Sequence, residues 1–268
     1  MKKYYIWMLA VILLASCSNN DDPVVPQPAD DVEEELAKMT LTEKVGQMFY
    51  TRLESLDTTF HWNTYDDLQV NPMIEVNTTI KDVNSKYPVG GIILYAWNID
   101  DESQLASLIA DIRTFNGSPL LCIDEEGGRI ARIANNPKFN VKKYESMEAI
   151  GQTGDPANAY ECGNTIGTYL KHYGFDIDFA PVADVNTNPE NIIITDGMEM
   201  GSITQQYSSG EAAVASILAG VDIVLGPKDF VKAFDAVIKA VENGTISEER
   251  INQSVRRILK LKKQAPGL

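Results

Sequence analysis

The sequence is poor in the residues that bind metals and form disulfides, with two histidines and three cysteines among 268 residues. Three cysteines cannot form a disulfide framework, and no histidine or cysteine cluster has metal-site spacing. No segment carries a P-loop or a dinucleotide fingerprint, so we predict neither a metal nor a cofactor. Acidic residues outnumber basic ones, and the formal net charge is −15. Such a surface repels phosphate backbones, which argues against nucleic acid as a partner.

The N-terminus combines two lysines, a short apolar run and small residues before a cysteine, in MKKYYIWMLAVILLASC. The run is too short to span a bilayer and is typical of a secretory signal peptide, here residues 1–16. LASC is similar to the lipobox of bacterial lipoproteins, which implies cleavage before Cys17 and lipidation of that cysteine. The protein would then be lipid-anchored in the bacterial cell envelope, at the outer membrane or facing the periplasm. The alternative is an ordinary signal peptide that contains a cysteine.

Two regions follow the predicted signal peptide. Residues 17–31 are rich in proline, aspartate and asparagine, so we predict an extended tether. Residues 32–268 have ordinary globular composition and form the predicted folded domain. Within it, Thr40 or Thr42 suits the cap of one helix, and Ser247 suits the cap of the last. Cys122 and Cys162 are interpreted as small buried hydrophobic residues.

Apolar strand-like runs alternate with amphipathic helices along the predicted domain. This order indicates an α/β fold with a parallel sheet covered by helices. In such folds the chemistry gathers at the carboxyl ends of the strands, which places Asp124 and Asp196 on one face. The six predicted strands are residues 47–52, 90–95, 119–124, 176–182, 192–195 and 221–225.

The segment CIDEEGGRIARI, residues 122–133, is the sharpest motif. An acid, Asp124, ends a strand, two glycines allow a close backbone turn, and Arg129 and Arg132 follow. A carboxylate and a guanidinium together can hold sugar hydroxyls through charge-assisted hydrogen bonds. The alternative is a structural salt bridge at the end of a strand.

Three further segments, MTLTEKVGQMF, FDIDFAPVADVN and IIITDGMEMGSI, accompany this motif. Their order resembles glycoside hydrolase family 3, and most closely its β-N-acetylhexosaminidase-type members. The resemblance implies a (β/α)8-type barrel that removes terminal β-linked N-acetylglucosamine with retention of configuration. It also implies that Asp196 is the catalytic nucleophile and that Asp124 and Arg132 bind the sugar.

One part of the family pattern is missing. The resemblance implies a KHFPGHG-like stretch that grips the sugar, followed by a histidine–aspartate acid/base pair, and neither is present. Of the two histidines, His172 suits a helix end, where a capping or solvated role is favoured. His61 lies in the loop after the first strand, with Asp57, Asp66 and Asp67 nearby in sequence. A replacement acid/base pair built on His61 is the weaker alternative to a solvated loop residue.

The link between the fourth and fifth predicted strands is unusually short. Nine residues run from Ala183 to Asn191, whereas a parallel crossover needs about a dozen or more. By resemblance, about two βα units are missing near Asn191. We therefore predict an incomplete (β/α)8-type, TIM-like barrel of about six parallel strands, with a gap or forced seam at this link. We also expect low stability, or a partner that fills the gap.

Three functional hypotheses remain open from the sequence. The first is a lipid-anchored glycosidase that is weak or inactive toward natural glycosides because its acid/base segment is missing. The second is a non-catalytic sugar-binding or structural lipoprotein derived from such an enzyme. The third is a truncated or misassembled reading frame without a selected function.

Overall fold

The computed structural model describes residues 28–181 and 191–264, with side chains from residue 31 onward. The predicted signal peptide, Cys17 and residues 182–190 lie outside the described residues, so the lipid anchor stays a prediction. Helix α1 begins at Pro28. The last four residues of the predicted tether, 28–31, are therefore helical.

The central element is a parallel sheet of five strands in the order β6-β3-β2-β1-β7. Register between β2 and β3 runs from Gly91 opposite Leu120 to Leu94 opposite Ile123. A separate antiparallel hairpin, β4 with β5, follows β3 directly. The strands are β1 (Phe49–Thr51), β2 (Gly91–Leu94), β3 (Leu120–Ile123), β4 (Glu125–Gly127), β5 (Ile130–Ala131), β6 (Ile177–Asp178) and β7 (Val224–Leu225).

Helices cover the sheet and carry the predicted caps. Thr40 caps α2 in a reciprocal capping box with Glu43, and Ser247 caps α12. The helices are α1 (Pro28–Lys38), α2 (Leu41–Gln47), α3 (Leu53–Leu56), α4 (Tyr65–Val70), α5 (Thr78–Lys86), the 3₁₀ helix η1 (Ala96–Asn98), α6 (Glu102–Ile112), α7 (Met147–Gln152), α8 (Pro156–Tyr173), α9 (Gly201–Thr204), α10 (Ser209–Leu218), α11 (Phe230–Glu242) and α12 (Glu248–Lys262).

Five of the six predicted strands are confirmed, although each is shorter than its apolar run. The prediction of a strand at 192–195 was wrong, because the structure has only an isolated parallel bridge there, Ile194 with Ile223. Next to this bridge, a hydrogen bond to a side chain takes the place of a backbone–backbone hydrogen bond, because the Leu225 N–H donates to Oγ1 of Thr195 at 2.9 Å. The apolar run therefore lies along β7 without completing a strand.

The sheet is an incomplete TIM-like barrel that is open between β6 and the Ile194 bridge. In the described part of the chain, β6 pairs only with β3, and Ile194 pairs only with Ile223. All residues of β1, β2, β3 and β7 are buried, whereas both residues of β6 are only half-buried. Ile193 is 38% exposed. The two borders of the opening thus leave apolar surface uncovered, as the short link predicts.

The border at residues 191–195 is tied to the last helix through a buried acid. Asp222 is fully buried, and its Oδ2 accepts from the N–H of Ile193 at 3.1 Å. Its Oδ1 accepts from Arg257 at 2.9 Å and from Ser254. The carboxylate therefore holds the edge segment and α12 together.

Replacing Asp222 with asparagine is expected to destabilise the domain by about 3 kcal/mol, because it leaves a guanidinium without its buried counter-charge. Urea unfolding measures the loss. Amide exchange at Ile193 and Thr195 should accelerate more than exchange in β2. Asp235→Asn, on an exposed site of α11, is the matched control. Equal stability of the two variants would contradict the anchoring role of Asp222.

Candidate active site

Polar and aromatic side chains converge at the carboxyl ends of the parallel strands. Because these ends share one edge of the sheet, residues far apart in sequence become neighbours. The residues that follow the strands directly are Arg52 after β1, Tyr95 after β2, Asp124 after β3 and Gly226 after β7, while Asp178 ends β6 and Asp196 and Glu199 follow the Ile194 bridge.

Asp124 and Arg132, two of the predicted site residues, form an ion pair. Nη2 of Arg132 donates to Oδ2 of Asp124 at 2.9 Å, and about a quarter of each side chain remains exposed. The ring centroid of Tyr95 lies 5.6 Å from the guanidinium carbon. Nε of Arg132 is buried and has no hydrogen-bond partner among the described residues. Both members of the pair therefore remain partly exposed, although the Nε–H group of Arg132 is buried.

The conformation of the motif depends on Glu125 and on two glycines. Glu125 is fully buried and accepts hydrogen bonds from the N–H groups of Ile133 and Ala134, both at 2.9 Å, and from that of Arg132. At Gly128 φ is +66°, and an added Cβ would lie 2.8 Å from the carbonyl oxygen of Glu145. Glycine is therefore required where the hairpin turns Arg132 back toward Asp124.

Asp178 lies beside this motif, and its carboxyl group has a raised pKa. Its Oδ1 accepts from the N–H of Glu125 at 2.9 Å. Burial raises the pKa of Asp178 to about 6, and the nearby charges of Glu125 and Asp124 add to the shift. Ionisation of Asp178 is thus less favourable in the folded protein than ionisation of an ordinary aspartate.

Replacing Asp178 with asparagine is expected to stabilise the protein at pH 7 by about 1–2 kcal/mol, after allowing for partial exposure. The folded-state pKa, about 6, exceeds the ordinary value of 3.8, so the folded state binds the proton more tightly. The destabilisation caused by ionised Asp178 is therefore absent below about pH 4, grows as the pH rises through 6 and is complete above that pH. Urea unfolding of both proteins at pH 4 and pH 7 measures this. A difference that does not change with pH would contradict it.

Asp196, the predicted nucleophile, is exposed at the same edge of the sheet. Its Oδ1 accepts from the N–H of Gly197 at 2.7 Å, and the N–H of Met198 donates to the carbonyl of Leu225. Within the described residues no hydrogen bond or ion pair joins Asp196 to Asp124 or Arg132. The structure thus joins two of the predicted residues in an ion pair and places the third at the same edge of the sheet without a hydrogen bond or ion pair to them.

A second acid–arginine pair, which the sequence did not reveal, occupies this edge. Nη2 of Arg52 approaches Oε1 of Glu199 to 3.1 Å, and both side chains are almost fully buried. Tyr65 donates to the same Oε1, also at 3.1 Å. The Trp62 ring covers the guanidinium at 4.4 Å. The available signals were an arginine that ends the apolar run GQMFYTR and a glutamate inside TDGMEMG.

Neither histidine forms an acid/base pair in the described residues. His61 lines a cleft of about 1150 Å³ together with Asp57, but no hydrogen bond joins the two. The Asp57 carboxylate instead accepts from Thr59 and Asn77. His172 is exposed in the last turn of α8, with its ring 5.0 Å from that of Tyr173.

Residues 28–181 and 191–264 contain no group of three or more histidine, cysteine, aspartate or glutamate side chains placed to hold a metal ion. None of their helices combines the length and the apolar character needed to traverse a bilayer. Cys122 and Cys162 are both buried and unpaired, as predicted.

The curled parallel sheet and its helices define an α/β domain of the incomplete TIM-barrel class. The chain matches the model of the glycosyl hydrolase family 3 N terminal domain over residues 40–193 and 190–261. It therefore belongs to glycoside hydrolase family 3. The two matched segments overlap at residues 190–193, which include Asn191, where the sequence indicates missing units.

Sequence relatives are β-hexosaminidases. The chain is 32% identical over 139 residues to the β-hexosaminidase of Pseudomonas aeruginosa, covering 50% of this chain and 37% of that protein. It is 28% identical over 162 residues to that of Tolumonas auensis, covering 52% and 47%. With β-hexosaminidase A of Pseudoalteromonas piscicida it shares 32% identity over 121 residues, 43% of this chain and 20% of that protein. The matches thus span less than half the length of these relatives.

Solved structures support the fold. A family 3 β-N-acetylglucosaminidase from Paenibacillus sp. superposes with a TM-score of 0.67 at 22% identity, covering 84% of this chain and 62% of that one. The β-N-acetylglucosaminidase from Thermotoga maritima gives 0.66 at 14% identity, covering 84% and 68%. At these identities the likeness establishes the architecture alone.

Proposed function

We propose that this family 3 domain binds terminal β-linked N-acetylglucosamine and keeps a glycosidase nucleophile, Asp196, but cleaves natural glycosides weakly or not at all. The names of its relatives and the resemblance of IDEEGGR and TDGMEMG support the sugar. The missing acid/base segment supports the low activity. Asp124 and Arg132 are the proposed sugar ligands.

The observation that carries this proposal is the Asp124–Arg132 pair at the carboxyl edge of the sheet. The Asp124 carboxylate and the Arg132 guanidinium are both partly exposed, so adjacent hydroxyl groups can donate to the first and accept from the second. The nearby Tyr95 ring adds an apolar surface. This combination is the chemistry that a sugar ring requires.

The proposed reaction follows from the groups present. Attack of the Asp196 carboxylate on the anomeric carbon breaks the bond to the leaving oxygen and forms a glycosyl ester, which water then hydrolyses. A natural alkoxide leaving group needs a proton from a positioned acid. A nitrophenolate does not, because it is already a stable anion. The chain should therefore discriminate between the two kinds of substrate.

The test compares release of nitrophenol from nitrophenyl N-acetyl-β-glucosaminide with cleavage of chitobiose. We expect slow turnover of the aryl glycoside and none of chitobiose. Equal turnover of both would show that an acid is present and contradict the proposed deficiency. No turnover of either would favour the binding function.

The alternative function is sugar binding without catalysis. It is favoured by one observation: in the described residues Asp196 forms no hydrogen bond or ion pair with Asp124 or Arg132. Calorimetric titration with N-acetylglucosamine tests it. Binding by the wild type that is lost in Asp124→Ala, without aryl glycoside turnover, would establish this function.

We also propose that Cys17 is lipidated and anchors the domain in the cell envelope. The support is the LASC sequence and the tether-like composition behind it. Metabolic labelling with a palmitate analogue should mark the wild type and not Cys17→Ala, which should move to the soluble fraction. Labelling of both proteins would contradict the assignment.

A further inference from the structure

Glu199 is a buried carboxylate that lies three residues after Asp196, in the segment TDGMEMG. Its side chain is 3% exposed, whereas Asp196 is exposed. The proposed reaction gives Glu199 no part. Burial of a carboxylate is costly unless other groups compensate its charge, so the surroundings of Glu199 indicate what it does.

Arg52 and Tyr65 hold the Glu199 carboxylate from the side of β1. Nη2 of Arg52 lies 3.1 Å from Oε1 of Glu199, and the hydroxyl of Tyr65 donates to the same oxygen at 3.1 Å. Arg52 is fully buried, and the Trp62 ring covers its guanidinium at 4.4 Å. A second acid, Glu54, is buried nearby, but burial raises its pKa and so disfavours its charged form. Glu199 is therefore the main counter-charge of Arg52.

Two glycines let the Glu199 carboxylate lie against the backbone. An added Cβ at Gly197 would lie 2.9 Å from Oε2 of Glu199, and one at Gly226 would lie 2.5 Å from the same atom. Gly197 directly follows Asp196, and Gly226 directly follows β7. The carboxylate thus fits between the backbone next to the proposed nucleophile and the end of β7.

The loop that carries Asp196 is attached to the sheet mainly on one side. The N–H of Met198 donates to the carbonyl of Leu225 in β7 at 2.9 Å. The hydrogen bond of the Asp196 side chain is local, from the N–H of the next residue to Oδ1. The preceding segment borders the opening of the barrel. Glu199 supplies a second attachment, through Arg52, to the end of β1.

The charge of Arg52 allows a carboxylate to take this position. Burial raises the pKa of Tyr65, and the negative charges of Glu199 and Asp196 add to the shift, so both acids act near its hydroxyl. Two like charges repel when they lie close together. Because Arg52 compensates Glu199, the glutamate can hold the loop without adding net negative charge beside the proposed nucleophile.

We propose that Glu199, held by Arg52 and Tyr65, is a positioning residue that fixes the backbone behind Asp196 and so aims the nucleophile at the anomeric carbon. This inference rests on the proposed function for the role of Asp196. Glu199 acts through the backbone of Gly197 and does not touch the sugar. Its loss should therefore slow the chemical step and leave sugar binding unchanged.

The first test measures turnover of nitrophenyl N-acetyl-β-glucosaminide by the full chain. Glu199→Ala should lower kcat roughly a hundredfold, because a small misplacement of a reacting group has effects of this size. Its KM should stay within about twofold of the wild-type value. Tyr65→Phe removes only the hydroxyl that bonds to Glu199 and should lower kcat roughly fivefold. Val237→Ala, in the buried face of α11, is the control for lost stability and should keep both constants.

The second test is amide hydrogen exchange, which does not depend on activity. Exchange at Met198 should accelerate roughly tenfold or more in Glu199→Ala, relative to exchange in β2. Val237→Ala should show no such difference between the two sites. Unchanged local exchange in Glu199→Ala would overturn the positioning role, even if turnover fell.

The outcomes separate this inference from the proposed function. An unchanged kcat in Glu199→Ala, a rise in KM without a fall in kcat, or an equal loss of kcat in Val237→Ala overturns the positioning role and leaves the nucleophile in place. A wild type without turnover, in which Glu199→Ala still accelerates exchange at Met198, contradicts the catalytic function and supports only the hold of Glu199 on this loop.

Discussion

Replacing Asp196 with asparagine is expected to lower the release of nitrophenol from an aryl N-acetyl-β-glucosaminide by about a thousandfold or more. Loss of a covalent nucleophile has effects of at least this size in other hydrolases. Asparagine keeps the shape of the side chain, and its carbonyl oxygen can still accept from the N–H of Gly197. The difference in activity between the wild type and Asp196→Asn therefore measures the loss of the nucleophilic carboxylate, not a local rearrangement.

Trapping of the covalent glycosyl-enzyme tests directly whether Asp196 is the nucleophile. An activated 5-fluoro glycoside slows hydrolysis of the ester, so the glycosyl-enzyme should accumulate. Mass spectrometry should find one added sugar on the peptide that contains Asp196, and none in Asp196→Asn. Asp82→Asn, at an exposed position of α5, is the control and should retain activity. Label on another carboxylate would remove Asp196 from the proposed mechanism.

The parts of the fold that local patterns determine were predictable. Apolar runs of four or more residues placed β2 and β3, and the capping residues Thr40 and Ser247 marked the starts of α2 and α12. The run IIIT has the same composition but forms only one bridge, because it borders the open side of the sheet. Whether a neighbouring strand exists is a tertiary property, which composition does not encode.

The candidate site was predictable only where its residues lie within one motif. Asp124 and Arg132 are eight residues apart, and the two glycines between them indicate the turn that joins them. Arg52 and Glu199 lie about 147 residues apart in the sequence, so no spacing rule connects them. A charged residue inside an apolar run was the available signal, and it does not identify a partner.

Replacing Glu125 with alanine is expected to destabilise the domain by about 4–5 kcal/mol. Four hydrogen bonds to its carboxylate are lost: one from the hydroxyl of Tyr169 at 2.8 Å and three from backbone N–H groups of residues 132–134. Each buried donor left without an acceptor costs about 1–3 kcal/mol. Urea unfolding followed by circular dichroism measures the change.

Glu126→Ala is the matched control, because Glu126 is the adjacent carboxylate of the same motif and is only half-buried. It should change stability by less than about 1 kcal/mol. Glu125→Gln should fall between the two, since one amide oxygen still accepts while the amide nitrogen faces donors. Equal effects of Glu125→Ala and Glu126→Ala would mean that the buried carboxylate does not organise the loop. The position of Arg132 beside Asp124 would then need another cause, because its backbone N–H is held by Glu125.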